Sequence, residues 1–137
     1  MSESWVKISE EIAAKKRKMF ELVVKQLCNR SLMVILFSSR AKGLETPLSD
    51  YDLLVVEPDG VEEVPVIQWP AQIFKHGLES VREEIRSLNT IILDALIDGK
   101  VLCGDADPFQ QLRRQAEETV KMRRIVRTGL GWVPEQP

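Results

Sequence analysis

Two short apolar runs, Leu32 to Phe37 and Leu53 to Val56, constrain this chain more than any other feature. Each is rich in Val, Ile and Leu. Ser38-Ser39-Arg40 stops the first, and Ser49-Asp50-Tyr51-Asp52 opens the second. Runs of this length and composition, bounded by turn residues, are buried strands. The second opens on two carboxylates separated by one residue. Side chains i and i+2 of a strand share a face, so Asp50 and Asp52 are expected to project side by side, next to the end of the first strand.

Neighbouring carboxylates repel and raise each other's pKa unless a cation lies between them. A hard divalent ion such as Mg2+ takes oxygen ligands, usually one or two carboxylates together with substrate phosphates. The Ser38-Ser39-Arg40 turn leads into a short predicted helix, Arg40 to Lys42, ended by Gly43. Hydroxyls, free N–H groups at a helix start and a guanidinium are what a phosphate chain needs. Taken alone, an Asp-x-Asp pair is more often an ordinary turn feature. Coupled to the preceding strand and turn, it points to phosphoryl or nucleotidyl transfer.

The segment Phe37-Ser38-Ser39-Arg40-Ala41-Lys42-Gly43, followed by Ser49-Asp50-Tyr51-Asp52-Leu53, resembles the core motif of the minimal nucleotidyltransferases of the polymerase-beta superfamily. The likeness is specific over residues 34–56 and loose elsewhere. It implies that Ser38, Ser39, Arg40 and Lys42 bind the nucleotide, that Asp50 and Asp52 are the catalytic metal-binding carboxylates, and that the cofactor is Mg2+ or Mn2+. It also implies NMP transfer from an NTP, ATP first among them, to a protein, a small molecule or RNA. Small members often pair with a HEPN-type toxin as the antitoxin half of a toxin–antitoxin system. Two positions depart from the motif. Ser38 stands where the family has Gly, and its Cβ crowds close backbone approach to a phosphate. The third carboxylate of the family, borne on a following strand, has no acidic match; Gln68 is the nearest polar candidate, and it cannot serve as a general base at neutral pH.

With 137 residues, 44% hydrophobic and 29% charged, the chain reads as one ordinary globular domain. A net charge of −2 gives no global attraction to nucleic acid or anionic membrane. No apolar stretch approaches a membrane span, and the start, Met-Ser-Glu-Ser-Trp, lacks a signal pattern, so a cytoplasmic protein is expected. Cys28 and Cys103 are far apart with no C-x-x-C spacing and read as free, buried thiols. His76 is the only histidine, which excludes zinc motifs that need two.

Trp5, Ile8, Ile12, Met19, Val23 and Leu27 mark a long amphipathic helix over 5–29, with Lys15-Lys16-Arg17-Lys18 on its solvated face. Val64 to Pro70 reads as a third strand, kept short or at an edge by its prolines. Leu78, Val81, Ile85 and Leu88 make a helical stripe that Ile92, Ala95 and Leu96 continue, with Asn89 as the cap between two helices. Val101 to Cys103 is a short final strand. Asp107-Pro108 opens the last helix, which carries six basic against three acidic residues through Arg127. Residues 129–137 read as a mobile tail after a single domain over 1–128.

The expected fold is α/β, a small mixed sheet of three to four strands packed against helices on one face, with the site on the open face. The expected function is Mg-dependent nucleotidyl transfer to a protein or other hydroxyl acceptor. Its competitor is a catalytically weakened nucleotide- or partner-binding module of the same fold, lacking the third carboxylate.

Overall fold

The computed structural model describes residues 2–37, 51–58, 66–129 and 131–136. Its central sheet has five strands in the order β3-β4-β2-β1-β5. These are β1 (Met33–Phe37), β2 (Tyr51–Glu57), β3 (Val66–Gln68), β4 (Ala71–Gly77) and β5 (Lys100–Gly104). β2 and β4 are parallel, and every other neighbouring pair is antiparallel. The sheet is mixed, as expected, with one strand more than the largest number predicted.

The additional strand is β4. Ala71 and Ile73 alternate with Gln72 and Phe74, but Gln72, Lys75 and His76 interrupt the apolar pattern, so the run does not announce itself as a strand. β4 forms because it lies inside the sheet, paired along its whole length with β2 and joined to β3 through the Trp69-Pro70 turn. Of the predicted third strand, Val66–Gln68 forms β3, Trp69 and Pro70 form the turn into β4, and Val64 and Pro65 lie outside the described residues.

Leu53, Leu54, Val55 and Val56 are all fully buried, because helices cover both faces of the sheet. Met33, Ile35, Phe37, Leu54 and Val56 face α2 (Leu78–Arg86), α3 (Thr90–Asp98) and α4 (Ala106–Met122). Val34, Tyr51, Leu53, Val55, Ala71 and Ile73 face α1 (Ser2–Cys28) through Val23 and Leu27. The expected open face is therefore occupied by α1. Continuous apolar runs are what strands buried on both sides require, and that is the reason the two runs showed no polar alternation.

Only the C-terminal half of the α1 stripe is used for this packing. Val23 and Leu27 are buried, and the Phe20 ring stacks on Tyr51 with centroids 3.7 Å apart and planes 7° from parallel. Trp5, Ile8 and Ile12, on the same stripe, are exposed. The basic run is split as well: Lys15, Arg17 and Lys18 are exposed, whereas Lys16, four residues before Phe20, is buried.

Asn89 caps α3 as its sequence position implies, its Oδ1 accepting from the N–H groups of Ile91 at 3.0 Å and Ile92 at 3.5 Å. Gly99 follows α3, where a Cβ would lie 2.0 Å from the Ala95 carbonyl oxygen and 2.5 Å from Ile35 Cγ2, so the helix can turn into β5 only with glycine there. α4 starts one residue before the expected cap, with Asp105 at the N-cap position.

Two expectations are corrected here. Cys28 and Cys103 are bonded, with Cα atoms 6.1 Å apart, and tie the end of α1 to β5. Seating α1 on the sheet brings Cys28 to the strand that runs beside Val34, a proximity that a sequence separation of 75 does not reveal. The end of the chain is a hairpin instead of a mobile tail: β6 (Ile125–Thr128) pairs with β7 (Gly131–Pro134). The hairpin is anchored on α3. Arg127 forms ion pairs with Asp94 and Asp98 and lies 4.7 Å from the Trp132 ring centre, and the Trp132 indole N–H donates to Asp94 Oδ1 at 3.0 Å. Arg127→Ala removes two charge-assisted contacts and a cation–π contact from a partly buried cluster, and should lower stability by about 2 kcal/mol. The urea midpoint of the variant, with an unchanged denaturant slope, checks this.

Candidate functional site

The candidate site residues of the sequence fall at the end of the sheet where β1 stops and β2 starts. Register places Phe37, the last residue of β1, opposite Asp52. Asp52 is in turn opposite Gln72 of β4, and Gln72 is opposite Ile67 of β3. Paired residues on neighbouring strands share a face. Phe37, Asp52, Gln72 and Ile67 therefore form one row across four strands, on the face that carries Leu54 and Val56.

Within this row Asp52 is partly buried and engaged with the protein. Its surroundings are apolar on the core side. Phe37 and Phe74, the latter two residues beyond Gln72 on the same face, meet with ring centroids 5.8 Å apart. On the opposite face Tyr51, braced by Phe20, fixes the start of β2 on which Asp52 sits.

Of the residues singled out in the sequence, Ser38, Ser39, Arg40, Lys42 and Asp50 lie outside the described residues. Ser38 follows the last residue of β1 directly, and Asp50 precedes the first residue of β2 directly. Asp52 is thus the described member of the carboxylate pair.

Gln68 is not a neighbour of Asp52, which corrects its reading as the third-acid position. It pairs with Ala71, and Ala71 pairs with Tyr51. That row faces α1, so Gln68 belongs to the opposite side of the sheet and is exposed there. The residue beside Asp52 on the next strand is Gln72. The available signal was the pattern Ala71-Gln72-Ile73, a polar residue between two apolar ones after a turn. That signal is masked in the sequence by the stronger strand pattern of Val64 to Pro70 just before it.

Asp52 and Gln72 both present oxygen donors, the ligand type that Mg2+ and Mn2+ take. Among the described residues no group of three or more His, Cys, Asp or Glu side chains could hold a metal ion. A carboxylate beside an amide suits a hard cation only with a further acidic ligand and substrate oxygens.

Two surface depressions are lined by described residues. One, of about 100 Å3, is lined by Ile67, Trp69, Pro70, Ala71 and Gln72. The other, of about 480 Å3, lies along α1 against Ala14, Lys15, Arg17, Lys18 and Glu21. Among the described residues no helix is long and apolar enough to cross a membrane.

The sequence profile of the nucleotidyltransferase domain matches residues 17–126. No protein of curated function matches the chain. Among solved structures, one similar chain comes from a toxin–antitoxin complex with AMP-PNP, at 20% identity and a TM-score of 0.45, covering 72% of this chain and 82% of that one. Another comes from a mutant of the toxin–antitoxin MntA-HpeT, at 16% identity and a TM-score of 0.40, covering 78% and 84% respectively.

Proposed function

The chain belongs to the nucleotidyltransferase domain family, and from that premise we propose that Asp52 and Asp50 hold a divalent metal, Mg2+ or Mn2+, for transfer of NMP from an NTP to a hydroxyl acceptor. One observation carries this reading. Asp52 stands at the start of a central strand, in register with the residue after which Ser38-Ser39-Arg40 follows. A carboxylate at the start of one strand, and hydroxyl and guanidinium residues directly after its neighbour in the sequence, support the two halves of a nucleotidyl-transfer site.

In this reading Ser38, Ser39, Arg40 and Lys42 hold the triphosphate, with ATP the first candidate. The acceptor hydroxyl oxygen bonds to the α-phosphorus while the bond to the bridging oxygen breaks. Pyrophosphate leaves with the electron pair, and the hydroxyl proton passes to solvent. The metal, when bound, supplies positive charge at the reacting oxygens. The chain's own part is to position the reactants and to place charge where it develops. A protein acceptor, with a HEPN-type toxin as partner and this chain as antitoxin, is supported by the motif resemblance.

A second reading is favoured by one specific observation: Gln72 occupies the position beside Asp52 where a further acid would complete the site. The protein would then bind metal and nucleotide, or a partner, while transferring slowly. Incubation with Mg2+ and each labelled NTP, with and without the product of a neighbouring gene, separates the two. Label appearing on the partner supports transfer. Saturable nucleotide binding with no transfer under any of these conditions supports the binding module, and absence of nucleotide binding refutes both. Arg40→Ala should weaken triphosphate binding by about 1.5–3 kcal/mol, the range for a hydrogen bond to a charged group. Titration calorimetry checks this, and an unchanged affinity would make the Ser-Ser-Arg turn a mere connector.

A further inference from the structure

α1 carries two stripes, and the sheet uses only one. Phe20, Val23 and Leu27 pack on the sheet, and Lys16, one turn earlier, is also buried. The other stripe runs Trp5, Ile8, Ile12, Lys15, Met19, Leu22, at alternating steps of three and four residues. All six are exposed, Trp5 at 69% and Leu22 at 55%. At about 100° per residue, it lies about 80° around the helix from the stripe on the sheet. Half of the large apolar side chains exposed among the described residues are on α1, a concentration that marks an interaction surface. We infer that this stripe binds a second copy of the chain, the two α1 helices lying antiparallel across a twofold axis between Ala13 and Ala14.

The spacing defines the kind of contact. Trp5, Ile12 and Met19 recur every seven residues, and so do Ile8, Lys15 and Leu22. So narrow a seam is what one helix offers another in a coiled coil, each side chain entering a hole between four residues of the facing helix. A seam this short would not hold two free peptides as helices in water. Here the later turns are already fixed on the sheet through Val23 and Leu27, so pairing does not have to order the helix from the start.

The occupant follows from self-complementarity. A twofold axis makes residue i of one copy face residue j of the other, and j face i. With the axis between Ala13 and Ala14, Trp5 meets the partner's Leu22, Ile8 meets the partner's Met19 and Ile12 meets the partner's Lys15. The seam closes on itself with no position left over. On the flank away from the sheet, the exposed Glu11 then faces the exposed Lys18 of the partner subunit, twice by symmetry. The stem of Lys15 covers the partner's Ile12 while its ammonium reaches toward the partner's Glu11. Lys7, Glu10, Arg17 and Glu21 lie on the far side of the helix from the seam. A parallel pair would instead set Lys15 against the partner's Lys15, and the like charges oppose it. A partner of another sequence would have no need of a seam that complements itself in both shape and charge.

Sedimentation velocity on the full chain, over a wide range of concentration, should show the mass rising from one chain, 15.6 kDa, to two. Ile8→Asp puts a charge into the seam twice and should weaken the dimer at least about 100-fold. The melting temperature of the dilute monomer should not change, because Ile8 is exposed there. Glu11→Lys and Lys18→Glu each make both flank pairs repulsive, and each should weaken self-association about tenfold at low salt. Mixed in equal amounts, the two variants should associate as tightly as the wild type, since each offers the charge that the other lacks. A parallel pairing gives no such rescue. A wild type that stays monomeric at every concentration, a dimer that ignores Ile8→Asp, or a mixture no tighter than its components overturns the proposal. So does a monomer that binds the product of a neighbouring gene and loses that binding in Ile8→Asp, which would give the stripe to a different protein.

Discussion

Asp52→Asn should abolish nucleotidyl transfer, lowering its rate by about 1000-fold or more. The change keeps the shape of the side chain and removes one negative charge from the end of a central strand. A metal's contribution to transition-state charge is several kcal/mol, and each 1.36 kcal/mol is tenfold in rate. Removing half of the carboxylate pair that would hold the ion forfeits most of that. The fold should survive. Asp52 sits at the rim of the sheet, while the apolar residues that hold β2, Leu53 to Val56, are untouched. Relief of repulsion between Asp50 and Asp52 should leave the melting temperature unchanged or slightly raised. Transfer of label from α-labelled ATP measures the rate, and a thermal scan with and without Mn2+ and nucleotide measures the ion. In the wild type Mn2+ with nucleotide should raise the melting temperature, and in Asp52→Asn or Asp50→Asn it should not. A wild type whose melting temperature ignores Mn2+ would sink the metal reading.

The parts of this fold that could be read in the sequence are those where local pattern and tertiary role agree. β1 and β2 are continuous apolar runs because α1 covers one face and α2 to α4 the other, so nothing polar is admitted except at their ends. The α2–α3 break is written in Asn89, whose side chain satisfies the first free N–H groups of α3. Where pattern and role diverge, the reading fails. β4 has a broken alternation, and its strand character comes from pairing with β2 and β3 on either side. β7 contains Gly131 and Pro134, residues that argue against a strand, and it is held by Trp132 and Arg127 against Asp94, contacts that span more than thirty residues of sequence. The apolar stripe of α1 correctly announced a helix but could not show that only its later turns, from Phe20 to Leu27, find a partner on the sheet.

The candidate site divides in the same way. The place of Asp52 at the start of an apolar strand is legible because a carboxylate opening such a run is a local anomaly. The identity of its neighbour on the next strand was not, because that depends on which residue of a later strand falls into register. Choosing Gln68 assumed that Val64 to Pro70 pairs directly with β2. β4 intervenes, and its parallel pairing brings Gln72 into place.

That shift of four residues, from Gln68 to Gln72, yields the second large effect. Gln72→Asp should raise transfer by about 100-fold, the lower end of what general-base help supplies. Gln72 lies beside Asp52 on the same face of a parallel pair. A carboxylate there would add a ligand to the cation and an acceptor for the attacking hydroxyl's proton, both of which an amide lacks. Without metal, a further acid beside Asp52 is repelled, so the variant should be less stable than the wild type when the ion is chelated and regain stability when Mg2+ is restored. Nucleotide affinity should change little, since the residues proposed to hold the phosphates are left alone. Gln68→Asp is the control: it places the same charge on the other side of the sheet, at an exposed position, and should leave the rate where it was. If Gln68→Asp accelerates transfer and Gln72→Asp does not, the register argument is wrong. If neither does and the wild type already turns over rapidly, another carboxylate completes the site, and the amide beside Asp52 serves to position the acceptor instead of marking a weakened enzyme.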